Sequence, residues 1–67
     1  PTPDIGYVDA LRLAMQREKE AFRLYSGLAD VVDDDTAREV FLMLAQEEAK
    51  HKLRFEIEYD DAVMTDN

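Results

Sequence analysis

Apolar residues recur along this chain at alternating steps of three and four, in two runs separated by an acidic break. Positions 8, 11, 15, 18, 22, 25, 29 and 32 read Val8, Leu11, Met15, Glu18, Phe22, Tyr25, Ala29 and Val32, the spacing that lines one face of an α-helix. In the second run the same steps select Ala37, Phe41, Leu44, Glu48, His51, Phe55, Glu58 and Ala62. The pattern predicts helices over about 7–32 and about 37–63, with a turn at 33–36, all within one domain spanning 1–67. Thr2 to Gly6 reads as a lead-in, and Met64 to Asn67 as a fraying tail. Asp33-Asp34-Asp35 interrupts the first run, and Thr36-Ala37-Arg38-Glu39 fits a capping box that starts the second. So short a connection leaves no room for a crossover, so the helices should form an antiparallel hairpin.

Three positions break the apolar rule near the middle of the runs: Glu18 in the first, Glu48 and His51 in the second. Counted from a turn centred near Asp34, they lie 16, 14 and 17 residues away. At about 1.5 Å per residue, that places all three within roughly 5 Å along the hairpin axis. Glu58 lies 24 residues from the same centre, too deep to join them. Buried carboxylates without partners are very costly, so two of them beside an imidazole point to a cation among them. A second apolar set on the later helix, Leu42, Ala45, Ala49, Leu53 and Ile57, widens its hydrophobic arc beyond what one partner helix covers. A further pair of helices is the expected cover.

Composition narrows the choice of cation and of partner. The chain has 67 residues and no cysteine, so neither a disulfide nor a thiolate site supports it; scaffolds this small usually need a metal or a partner subunit. Sixteen acids against eight bases give a net charge of −8, which opposes nucleic acid and anionic membranes and favours cations. No apolar stretch approaches the roughly 20 residues of a membrane span. With no signal peptide visible, a cytoplasmic location is expected, either free or inside a protein compartment. Two carboxylates and one imidazole undersaturate an oxygen-binding metal, but a second copy doubles the set to four carboxylates and two imidazoles. That is the inventory of a di-iron or di-manganese carboxylate site, in which Glu-x-x-His pairs and single Glu residues come from facing helices. Zinc would favour fewer ligands and more nitrogen or sulfur.

The residues from Ala10 to Tyr59 resemble one helical repeat of the rubrerythrin-like branch of the ferritin-like superfamily. The resemblance rests on Glu18, Ala21 and Tyr25 as Glu-x-x-Ala-x-x-x-Tyr, on Glu47, Glu48 and His51 as Glu-Glu-x-x-His, and on the 30-residue gap between Glu18 and Glu48. It implies an all-α fold in which the hairpin pairs into a ferritin-like four-helix bundle. It further implies that Glu18 and His51 each bind one metal while Glu48 bridges or chelates. Complete rubrerythrins carry four helices in one chain and a cysteine-ligated rubredoxin domain, whereas these 67 residues predict two helices and contain no cysteine, as a two-helix protomer or as one half of a longer duplicated chain would. In being a two-helix protomer it looks like the encapsulated ferritins, which build a di-iron site at a subunit interface.

The implied activity is oxidation of Fe(II) by dioxygen or reduction of peroxide, with manganese as an alternative metal. Tyr25 is expected to fill the core near the site and to orient a ligand through its hydroxyl. Glu20 and Glu47 fall off the seam, as solvated charges or as guides for incoming cations. A reading of a different class makes the chain a non-catalytic dimerisation or scaffold module, with Glu18, Glu48 and His51 as a polar network or structural-metal interface that fixes register.

Overall fold

The computed structural model describes residues 5–64, all of them helical apart from the connection at 32–34. Helix α1 runs Ile5–Val31 and helix α2 runs Asp35–Met64. They pack against each other along their length as an antiparallel hairpin. The fold is all-α, as the periodicity predicts. Ile5 and Gly6 belong to α1 rather than to a lead-in, and Met64 belongs to α2. Thr2 to Asp4 and Thr65 to Asn67 lie outside the described residues.

The turn corrects one expectation. Thr36 is not the cap of α2. The backbone N–H of Ala37 donates to Asp34 Oδ2 at 2.9 Å, and that of Arg38 donates to the Asp34 carbonyl at 3.0 Å, so Asp34 is the capping residue. Thr36 sits two residues past the cap, where its hydroxyl has no free N–H three residues on to accept from. Asp35 then occupies the first turn of α2, where its charge complements the helix dipole. The other side of the turn is held by Arg38. Its Nε donates to the Ala29 carbonyl at 3.3 Å and its Nη2 to the Val32 carbonyl at 2.8 Å, satisfying acceptors that the end of α1 leaves open. Replacing Asp34 by Ala should lower stability by about 1 kcal/mol. Urea denaturation checks this; a loss as large for Thr36→Ala would return the cap to Thr36.

The hairpin is one layer thick, with extents of 53 × 14 × 10 Å. Its core is small: Val8, Leu11, Ala29 and Ala45 are the buried apolar residues among those described. In α2 the inward row is displaced from the expected one. Ala45 is only 3% exposed and Lys52 and Tyr59 are half-buried, whereas Leu44 is 36% exposed and both His51 and Glu58 face outward. The two rows share Phe41, Glu48, Phe55 and Ala62, so a sequence with apolar residues on both leaves the choice to tertiary packing. Ala45 wins because a small side chain lets the helices approach, while Leu44 turns toward an open face. Phe22, expected on the seam of α1, is likewise exposed.

Leu42, Leu53 and Ile57 remain open on α2, with Leu53 57% exposed. At the far end the helices are clasped by two cross-links that the sequence pattern does not announce. Tyr7 OH donates to Glu58 Oε2 at 3.0 Å, and Arg12 Nη2 donates to Tyr59 OH at 3.0 Å with its guanidinium 5.5 Å from the Tyr59 ring centre. Glu58 therefore serves the end of the hairpin and not its middle.

Candidate metal centre

Seven residues separate Glu18 from Leu11 and seven separate it from Tyr25, so each lies two turns away on the same face of α1. That face meets α2 at Glu48, which both candidate inward rows contain. His51 is one turn farther on, at the edge of the seam. Glu18, Glu48 and His51 each present one ligand atom, and these atoms lie within 4.8 Å of one another. The three residues singled out by helical phase and depth do come together.

Their environments differ. The Glu18 side chain is 19% exposed and that of His51 46%. His51 Nδ1 lies 3.6 Å from Glu18 Oε2, within ion-pair range but too far for a hydrogen bond. Glu18 Oε2 is shielded from water with no hydrogen-bond partner. The neighbouring Glu48 carboxyl holds the Glu18 pKa above its ordinary value, chiefly because the two acids hydrogen-bond best when they share a proton. Burial and the Glu48 charge push the same way, and His51 opposes them. When both are ionised, each carboxylate only accepts. An orphaned, shielded oxygen beside a second carboxylate and an imidazole is a donor set that a hard or borderline cation satisfies.

The raised pKa has a consequence for the metal-free protein. Since Glu18 binds its proton more tightly folded than unfolded, its contribution favours folding at low pH. That contribution is complete below the unfolded value near 4.5 and is lost as pH rises through the folded value. In chelator, Glu18→Gln should therefore melt above the parent protein at pH 7, and the gap should close toward pH 4.5. Thermal melts across that range test it; a gap that does not change with pH removes the shared-proton account.

The other expected participants occupy ordinary positions. Tyr25 stacks on Phe41, ring centres 6.5 Å apart and planes 19° from parallel, and so packs the seam between the site and the turn. Its hydroxyl makes no hydrogen bond to the three site residues among those described. Glu20 accepts from Gln16 Nε2 at 3.1 Å and Glu47 pairs with Lys50 at 3.3 Å, both on exposed faces. An open basin of about 460 Å³ adjoins the cluster, lined by His51, Arg54, Phe55, Ile57 and Glu58. Sequence periodicity gives no sign of it, because it arises from the outward turn of the row that carries His51.

The family model described as Rubrerythrin matches residues 5–62. The chain belongs to the rubrerythrin family. No curated protein and no solved structure matches it significantly. The rubrerythrin match takes in both helices and all three members of the cluster. Among the described residues, no helix of this rubrerythrin-family hairpin is long and apolar enough to cross a membrane.

Proposed function

We propose that this chain is a di-iron carboxylate protein whose site is completed by a second copy of the hairpin, and that it oxidises Fe(II) with dioxygen or reduces peroxide. The observation that carries the reading is the convergence of Glu18, Glu48 and His51, with Glu18 Oε2 shielded and without a partner. Family membership supports it, and so does the thinness of the hairpin, which leaves the cluster at the margin of a single layer.

The roles follow from position. Glu18 and His51 approach from different helices and would each hold one metal. Glu48, between them, has two oxygens with which to span a pair. Two copies supply four carboxylates, whose charge offsets two divalent cations. When bound, such a metal pair supplies electrons to an oxygen-level oxidant. The protein's part is to set the ligand spacing, to keep the Glu18 carboxylate sheltered, and to leave His51 facing the open basin as the route of approach. Manganese would fit the same oxygen-rich donor set. The site is read as cytoplasmic, free or within a protein compartment, since nothing in the hairpin calls for a membrane.

Metal analysis combined with anomalous scattering at the iron edge tests the proposal directly. About one iron per chain, with Fe(II) oxidation coupled to consumption of dioxygen or hydrogen peroxide, is the expected result. Metal bound without any oxidant consumption would leave a structural site only. A protein that takes up no metal returns the chain to the scaffold reading.

A further inference from the structure

A ridge on α2 runs along the edge of its seam with α1, since His51 lies 3.6 Å from Glu18 and Glu58 accepts from Tyr7. Val40, Leu44, Glu47, His51, Arg54 and Glu58 follow steps of four and three, and so form one ridge. Its first half is apolar, since Val40 and Leu44 are exposed large hydrophobics. Its second half is the open basin of about 460 Å³ beside His51, with Phe55 and Ile57 among its lining residues. The charges are as asymmetric as the shape. Glu47 lies in the first half, half-exposed beside Lys50. Arg54 lies in the second and has no ion-pair or hydrogen-bond partner among the described residues.

We propose that the partner's Leu44 seats in the basin of one chain while its own Leu44 seats in the partner's, with each Arg54 beside the partner's Glu47. This rests on the two-copy metal reading above and specifies its interface. A two-fold axis that brings the two ligand clusters to one depth crosses α2 midway between Glu48 and His51. Residue numbers that sum to about 99 then face each other on antiparallel helices. Leu44 meets the level of Phe55, and Glu47 comes within about 3 Å axially of Arg54. The exposed apolar half and the basin exchange places under the two-fold, as an isologous contact requires. The occupant is therefore a second copy, and the contact places the partner's Glu48 and His51 against this chain's cluster. A two-fold axis running parallel to the helices would instead lay α2 on the partner's α1 and leave the ridge unmatched.

Because the chain contains no cysteine, introduced thiols report the register. A mixture of Leu44→Cys and Phe55→Cys chains should form a mixed disulfide on oxidation. Neither variant alone should, since two copies of position 44 lie about 16 Å apart along the axis. As a check independent of packing, Glu47→Arg and Arg54→Glu should each weaken association about three- to tenfold in sedimentation equilibrium, because every change counts twice in a symmetric pair. Both changes in one chain should restore it. A metal-bound dimer that forms no mixed disulfide, or whose association ignores the single charge reversals, overturns this interface and leaves the metal reading intact. A cross-linked, charge-sensitive dimer that binds no metal keeps the interface and removes the metal reading. Absence of any dimer overturns both.

Discussion

Glu48→Ala should bind no stoichiometric iron and should lose Fe(II) oxidation by more than about 100-fold, while its far-ultraviolet circular dichroism stays that of the parent. The magnitude follows from position. Removal of groups that merely orient a ligand costs 10- to 100-fold in metal affinity or activity, and Glu48 is the carboxylate shared by both inward rows, between Glu18 and His51. The fold should survive because alanine is the strongest helix former and the contact of Glu48 with the Glu18 carboxyl opposes ionisation of that acid. In the metal-free state the variant should be no less stable than the parent, since Glu18 loses the carboxyl that perturbs it most. Retained iron oxidation in Glu48→Ala would sink the assignment. A helical protein that pairs poorly whether or not metal is present would instead favour a polar interface.

Chelation has the second large effect expected. The described hairpin buries four apolar residues, none of them fully, and leaves Leu53 and Ile57 more than half exposed. On the two-copy metal reading, metal and partner supply much of its stability. A ligand held at 100 times its dissociation constant stabilises the folded state by about 2.7 kcal/mol, which in a domain of this size corresponds to a melting shift of roughly 10 °C or more. Stripping the metal should lower the melting point by that order and convert the dimer to monomer on size exclusion, and adding Fe(II) or Mn(II) should reverse both changes. An unchanged dimer in chelator, with an unchanged melting point, is the outcome that the scaffold reading requires.

The cluster was more legible in the sequence than the packing around it. Glu18, Glu48 and His51 were findable because a charged residue on an apolar row is conspicuous and because helix rise converts position into depth. The row that α2 turns inward was not, since Leu44 and Ala45 are both apolar and only the closeness of α1 separates them. The cap was ambiguous for a similar reason: Asp33, Asp34, Asp35 and Thr36 are all good capping types, and the geometry of the turn selects Asp34. Arg54 carried no signal because a surface arginine is ordinary until a basin forms beside it.

A hairpin 10 Å thick buries only a small core of its own, and on the two-copy reading this changes the arithmetic of inheritance. When each centre draws on two chains, a defective chain disables the sound one it meets. In an equal mixture that pairs at random, only about one quarter of the pairs are wholly sound. Half the dose thus yields a quarter of the centres, so a gene encoding such a chain would show interference between alleles where a self-contained four-helix chain would show simple dilution.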